Sequence, residues 1–310
     1  MDDKFNTTYI TFDGYVQIQK YRYLYFLMTL TVYVLIICSN STIVYLIWIH
    51  QNLHEPMYIF IAALSVNSFL FSTAIYPKLF IDVLSKKQVI SYAACLFQYL
   101  MYYALGGSDF LLLAAMAYDR YVSICKPLQY ITVMKKRTIV FFLFYAWFLP
   151  GCHIGGALAL ALGGKKQLCS FTLKGIFCNN LIQKLHCVTS IAVPIYGVFV
   201  FLNIVILPVL FILFSYTKIL TVSYRSSGDV RRKAVETCLP HLIVLISFSC
   251  LCAFDFIMAE VKYDFPKTVR LIMNLQVVVY SPLFNPIIYG VKLKEISKHI
   301  KKMFYNVSLS

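Results

Sequence analysis

Two adjacent residues of opposite charge, Asp119 and Arg120, stand inside a long apolar stretch in the run Met116-Ala117-Tyr118-Asp119-Arg120-Tyr121. Charge at the margin of a bilayer is costly and rarely idle, and an acid beside an arginine can exchange one ion pair for another. A further carboxylate, Asp109, lies eleven residues upstream, about 16 Å along a helix. It reads as the only acid deep in an apolar run outside that pair, and an acid there must be paired, hydrogen-bonded or protonated. A third feature is Ser281-Pro282-Leu283-Phe284-Asn285-Pro286-Ile287-Ile288-Tyr289. Its prolines free backbone carbonyls that neighbours such as Asn285 can bond, and Tyr289 can swing a hydroxyl. None of this is hydrolytic or redox chemistry. His153 and His241 are isolated, and the apolar runs hold neither a nucleophile with its base nor metal-spaced histidines, so no enzyme and no metal centre is expected.

The elements that position these residues are membrane spans. With 60% hydrophobic and 13% charged residues, and a mean hydropathy of +0.73, the 310-residue chain has too little polar surface to coat a soluble globule. A helix needs about 20 apolar residues to cross the hydrocarbon core. Seven such runs occur, at 24–49, 57–84, 92–125, 138–162, 191–217, 237–259 and 269–291. The expected fold is an all-α integral membrane protein, a seven-transmembrane helix bundle over 24–291, preceded by a polar amino terminus, 1–23. In the tail, 292–310, Leu293, Ile296, Ile300 and Phe304 share one helical face and lysines occupy much of the rest, which predicts a short amphipathic helix lying on membrane lipid. A transporter would need several intramembrane charges or an inverted repeat, and neither is evident. The net charge of +15 sits in short connections and forms no continuous basic face, so nucleic acid is not an expected partner.

Lys135-Lys136-Arg137, Arg231-Arg232-Lys233 and the basic tail 292–302 sit hard against span ends, where positive charge controls topology most. The connections after spans 1, 3 and 5 are then cytoplasmic and the amino terminus extracellular, in the plasma membrane. Asn6-Thr7-Thr8 is a glycosylation sequon on the outer side. Cys95, at the start of span 3, and Cys169, Cys178 and Cys187, after span 4, would face the oxidising compartment, where spacing alone leaves three pairings open. The other six cysteines read as small buried apolar residues.

Taken together, Asn40, Trp147, Pro208, Tyr216, the Asp119-Arg120-Tyr121 run and Asn285-Pro286-x-x-Tyr289 resemble the rhodopsin-like G-protein-coupled receptors over nearly the whole chain. More narrowly, Pro56-Met57-Tyr58, Met116 to Tyr121 followed by Ile124-Cys125-Lys126-Pro127-Leu128, Lys233-Ala234, Thr237-Cys238 with His241-Leu242, and Ser281 to Pro286 look like the odorant (olfactory) receptor branch, with a leaning to the fish type. That resemblance implies disulfides Cys95–Cys178 and Cys169–Cys187. It also implies a switch through Asp119, Arg120, Tyr121, Tyr216, Asn285, Pro286 and Tyr289, and an ion or water site, possible for sodium, at Asp109 with Asn67, Ser68, Asn285 and Asn40 nearby. The implied partners are a small-molecule odorant and a heterotrimeric G protein of the stimulatory olfactory type that raises cyclic AMP, in an olfactory neuron. The alternative within receptors is a non-olfactory one for a lipid or small peptide. The chain departs from the branch at Ser68, where many members carry an aspartate, at Phe248-Ser249, where many carry Phe-Tyr, and at Arg231, where related receptors place an acid that restrains the arginine of span 3.

A ligand cavity between helices is expected in the outer half of the bundle, with span 3 as its wall. Tyr99, Tyr102, Tyr103, Gly106 and Phe110 recur three or four residues apart and mark one face. Gly106-Gly107 removes bulk, either for a ligand or for a neighbouring helix. Spans 5, 6 and 7 contribute Val200, Phe201, Ile204, Ser249, Cys252, Ala253, Phe256 and Val278, chosen by position relative to Pro208, His241 and Pro286. No acid occupies the outer half of span 3, and span 7 holds no lysine after Leu271, which disfavours a cationic amine and excludes a retinal Schiff base. A small, neutral or weakly polar molecule fits best.

Overall fold

A computed structural model of the chain describes residues 8–163, 168–187, 191–224, 239, 242–254 and 265–309. The chain is a seven-helix membrane bundle. Six helices are long and apolar enough to cross a bilayer: α1 (Ile18–Ile49), α2 (Pro56–Leu84), α3 (Tyr92–Cys125), α5 (Lys136–Leu162), the rod Ala192–Tyr224, and α9 (Lys267–Lys292). The seventh, α8 (Leu242–Phe254), is the described part of span 6. A short α4 (Tyr130–Val133) lies between α3 and α5, and α10 (Lys294–Leu309) follows α9.

Packing follows from which helices must hide polar groups. α2 and α3 are the most buried, and α3 packs against α1's neighbour α2, against α5 and against the rod. α1 and α5 carry apolar residues all round, as a lipid-facing helix must. Phe141, Phe144 and Phe148 of α5 and Trp48 of α1 are exposed on the bundle's outside, large apolar groups that a bilayer, not water, would cover. The rod is broken by Pro208, whose missing N–H cannot bond the carbonyl four residues back. α6 (Ala192–Phe201) therefore passes into α7 (Leu207–Tyr224) through a π-turn at Leu202–Ile206, closed by the Leu207 N–H on the Leu202 carbonyl. That turn aims Ile204 inward, at 4% exposure.

Three sequence expectations change. α1 begins at Ile18 rather than 24, because its first turns carry polar residues that an apolar window passes over. The amino-terminal segment is not a featureless tail: β1 (Tyr9–Phe12) pairs antiparallel with β2 (Val89–Ser91) and parallel with β3 (Thr172–Leu173). This small sheet covers the end of the bundle that carries the disulfides, and Ile10 and Phe12 are buried beneath it. Finally, Cys38, Cys152 and Cys250 face outward instead of packing inside the protein. Residues 1–7, which hold Asn6, lie outside the described residues, as do Cys238, Arg231 and His241.

At the opposite end, α10 docks by its apolar face. Ile296 is fully buried, and Leu293 and Ile300 pack on the same core as Tyr289 and Ile43. The His299 ring stacks on His50 with centroids 3.8 Å apart, and its Nε2 lies 3.3 Å from Asn52 Nδ2.

Candidate functional site

The disulfide end is held by two bonds, Cys95–Cys178 and Cys169–Cys187. The first ties the start of α3 to the loop 168–187, and the Cys178 N–H donates to Gln98 Oε1 at 3.0 Å. The loop is thereby drawn down over the bundle as a roof.

Beneath that roof lies a cavity of about 160 Å³. From α3 it is lined by Tyr99, Tyr102, Tyr103, Gly106 and Phe110, the face read from helical spacing. Val200, Phe201 and Ile204 approach from the rod, and Cys252 and Phe248 from α8. The two glycines divide the tasks left open by sequence. A Cβ on Gly106 would meet nothing within 4 Å, so that position opens the cavity. A Cβ on Gly107 would stand 2.7 Å from Ile204 Cγ2 and 3.0 Å from Pro150 Cβ, so there the missing side chain lets helices approach.

The structure does not bring every expected residue to this cavity. Val278 turns into the core at 1% exposure, and Val277, one residue or 100° away, lines the cavity in its place. Ser249 and Ala253 are not among its walls, and Ser249 Oγ is buried without a partner. Phe256 lies outside the described residues. Sequence reasoning missed the loop contribution, Asn180, Ile182, Gln183 and His186, because a disulfide-tied loop has no periodicity to read. Tyr99 OH donates to Asn180 Oδ1 at 3.0 Å, and the Asn180 N–H donates to Tyr103 OH at 2.9 Å. His186 Nε2 sits 3.1 Å from Tyr92 OH.

Midway through the bundle, Asp109 is 3% exposed and each of its carboxylate oxygens accepts a hydrogen bond. Asn67 Nδ2 donates to its Oδ1 at 2.7 Å and to the Leu105 carbonyl at 2.8 Å, while Trp147 Nε1 donates to Asn67 Oδ1 at 3.0 Å. Ser281 Oγ donates to Asp109 Oδ2 at 2.8 Å, and Asn285 Nδ2 reaches Ser281 Oγ at 3.1 Å. Asn285 thus acts through Ser281, and Ser68 makes no bond here, its Oγ being buried without a partner. Asn40 serves elsewhere. Pro286 has no N–H for the Pro282 carbonyl, and Asn40 Nδ2 fills that gap at 2.8 Å. Asp109 is also not the only buried acid in a span: Asp82 of α2, at 1% exposure, is ion-paired with Lys78 one turn away under the β1 cover.

At the far end of α3, Arg120 Nε and Nη2 both donate to Asp119 Oδ2, at 3.0 and 2.6 Å. The other carboxylate oxygen accepts from Tyr130 OH at 2.8 Å. Pro127 ends α3 and starts a tight turn at Pro127–Gln129, which brings α4 and its Tyr130 back beneath Asp119. Burial, then the Asp119 charge and hydrogen bond, push the Tyr130 hydroxyl well above the usual phenol range, so it stays a donor. Tyr216 and Tyr289 are buried in the neighbouring core, at 2% and 1% exposure. Tyr121 is half-buried, with Lys126 Nζ 5.8 Å from its ring centroid.

A seven-helix membrane bundle with a roofed cavity at one end, a buried polar cluster at its middle and an arginine ion pair at the other end has the build of a G-protein-coupled receptor. The family model described as "Olfactory receptor" matches residues 29–307. Human Olfactory receptor 4K3 is 32% identical over 285 residues, covering 90% of this chain and 87% of the relative. Human Olfactory receptor 11A1 is 32% identical over 297 residues, covering 94% and 91%, and human Olfactory receptor 10J4 is 31% identical over 296 residues, covering 93% of each. The chain belongs to the olfactory receptor family. It is a multi-pass membrane receptor that couples to a G protein, not an enzyme.

Proposed function

We propose that this receptor binds a small, largely apolar odorant in the cavity under the 168–187 loop and that binding opens the Arg120 end of the bundle toward a stimulatory olfactory G protein, raising cyclic AMP. The observation that carries this reading is the arrangement along one helix: α3 walls the cavity with Tyr99, Tyr102, Tyr103 and Phe110 and ends in the Asp119–Arg120 pair. In the resting arrangement Asp119 and Tyr130 hold Arg120. In the open one Arg120 meets the G protein, with Tyr216 and Tyr289 bridging toward it. The ligand must bind the open form better, since equal affinity shifts nothing. The disulfide end and the amino terminus face outside and the Arg120 end faces the cytoplasm in this reading, which the basic clusters beside the span ends support. The site of action is the plasma membrane of an olfactory neuron.

The Asp109 cluster holds a sodium ion or ordered water in this reading. Asp109, Ser68 and Asn285 all supply oxygen, the donor type a hard cation takes, and Ser68 Oγ and Asn285 Oδ1 are buried without protein partners.

The test is cyclic AMP in cells bearing the receptor and an olfactory-type G protein, challenged with a broad panel of small odorants beside Arg120→Ala at matched surface level. A response lost in Arg120→Ala supports the reading. Silence across the panel at confirmed surface expression moves weight to a receptor for a lipid or small peptide.

A further inference from the structure

Residues 8–15 cross the disulfide end of the bundle and fasten to elements far apart in the chain. On the loop side the Thr11 N–H donates to the Phe171 carbonyl at 2.7 Å and the Asp13 N–H to the Leu173 carbonyl at 2.8 Å. On the other side the Phe12 N–H donates to the Gln88 carbonyl at 2.9 Å, and the N–H of Tyr92, the first residue of α3, donates to the Thr8 carbonyl at 2.8 Å. Asp13 is ion-paired with Lys267, the first residue of α9. The segment therefore ties the roof loop to the outer ends of α3 and α9.

Its inner face reaches the cavity through packing. Gly14 is buried against the loop backbone: a Cβ there would stand 2.6 Å from the Gly175 carbonyl oxygen and 2.9 Å from Ile176 Cγ2. Gly14 does not have a positive φ, so it is space and not backbone conformation that calls for glycine. Tyr15, next in the chain, is buried in one cluster with Ile176, Phe177 and Tyr102, and the Phe177 ring centroid lies 4.9 Å from that of Tyr102, a wall of the cavity. Ile10 and Phe12 are buried in a second cluster with Cys95, Cys178 and Tyr99. A sheet this small is stable only with an apolar face packed beneath it, and here that face is the roof and the start of α3.

We infer that residues 8–15 are a clasp that positions the roof over the cavity, with Gly14 and the Asp13–Lys267 pair as positioning residues, so that the exchange of small molecules with the cavity is governed from the amino-terminal segment. Releasing the clasp frees 171–182 to lift, and with it Asn180, whose carboxamide and N–H hold Tyr99 and Tyr103. Local opening of this kind shortens residence and so acts on ligand release. The inference rests on the odorant-receptor reading only for what occupies the cavity.

The test uses the full-length receptor in lipid nanodiscs and a charged methanethiosulfonate, which does not enter lipid. Its reaction with Cys252, a wall of the cavity, is read by peptide mass mapping, which separates that thiol from Cys38, Cys152 and Cys250. Cys252 should react slowly in the wild type and about tenfold faster in Gly14→Ala, whose added Cβ overpacks the clasp. Hydrogen exchange should quicken over 9–13 and 171–182 and stay unchanged in α4 and α10 at the opposite end, a pattern that a general loss of stability would not give. Asp13→Lys, at an exposed position, keeps the test open if G14A fails to fold: it should speed the reaction about threefold, and adding Lys267→Asp should restore the wild-type rate. Cys252 reacting in the wild type as fast as in the unfolded chain, a wild-type rate in G14A and D13K, or exchange quickened equally at both ends overturns the inference. In the cyclic AMP assay, the response to an odorant active in the panel should decay faster on washout from G14A with its maximum unchanged, and decay at the wild-type rate overturns the link to ligand exchange. Faster Cys252 labelling beside silence across the panel supports the clasp while removing the odorant reading.

Discussion

Adjacent glycines in α3 give the same substitution opposite results. Alanine at Gly107 must place its Cβ 2.7 Å from Ile204 Cγ2 and 3.0 Å from Pro150 Cβ. Neither neighbour yields easily: Ile204 is β-branched within a helix and has one preferred rotamer, and the Pro150 ring is fixed to its backbone. Overpacking of this kind costs about 1–3 kcal/mol. At Gly106 the same Cβ meets nothing within 4 Å. Both sites gain up to about 1 kcal/mol of helix propensity. Gly106→Ala should therefore be neutral or stabilising by up to about 1 kcal/mol, and Gly107→Ala destabilising by up to about 2 kcal/mol. The two should differ by about 1–3 kcal/mol, or several degrees at about 2–4 °C per kcal/mol. Thermal unfolding of the purified receptor in lipid nanodiscs reads this directly. G107A melting at or above G106A would refute the assignment of Gly107 to helix packing. A functional readout accompanies it, since G106A narrows the cavity and should alter the rank order of agonist potencies while G107A lowers surface level without reordering them.

Tyr130→Phe removes one hydrogen bond to a buried carboxylate, worth about 1.5–3 kcal/mol, from the arrangement that holds Arg120. Basal cyclic AMP per surface receptor should rise about tenfold, and an unchanged baseline would show that Tyr130 is no restraint. Asn40→Leu leaves the Pro282 carbonyl unpaired in the interior and should cost about 1–3 kcal/mol, seen as a lower melting temperature and reduced surface expression; a wild-type melting profile would remove Asn40 from that role. Docking of α10 should depend on pH. Burial, then the stacked His50, lowers the His299 pKa from its ordinary 6.5, so the undocked state binds more protons between the two values and docking weakens with acid. Protection of α10 amides, the exchange rate relative to that of an unstructured chain at the same pH, should be full above about pH 6.5 and fall as the pH drops through the lowered His299 value, and His299→Phe should flatten that dependence; identical profiles for both proteins would exclude the ring pair as its cause.

The parts legible in sequence are those where one local property decides the outcome. Apolar runs fix spans because unpaired backbone cannot stand in lipid, and each expected span with described residues coincides with a helix to within a few residues except where polarity and helicity part company. α7 runs to Tyr224, seven residues past the expected end of span 5, because helical hydrogen bonding continues after the apolar run stops. Span 6 is described over Leu242–Phe254 and at Leu239. The face of α3 was legible for the same reason, a single helix with aromatic residues at helical spacing. Val278 failed where phase had to be carried along α9 from Pro286, because one residue of error rotates the side chain by 100°.

What sequence could not show is where two distant segments meet through short polar contacts. β1 finds β2 and β3 through only a few backbone pairs, separated by about 80 and 160 residues, which leave no periodic trace. Ser281 reaches Asp109 across 172 positions, and its signal was present but ambiguous, since a serine beside a proline also suits a turn. Sequence suggests Asn40 as a neighbour of Asp109, whereas its partner in the fold, the Pro282 carbonyl, follows from covalent chemistry. Pro286 deprives the Pro282 carbonyl of its helical donor, so some side chain on an adjacent helix has to supply one. A proline pair four apart in a span is thus a demand for a donor, and a buried asparagine otherwise lacking a purpose is where to look for it. The same logic accounts for Tyr130: with no acid available at Arg231 to hold Arg120 from span 6, the sequence required another partner for the Asp119–Arg120 pair, and the turn imposed by Pro127 brings one back to the same helix end.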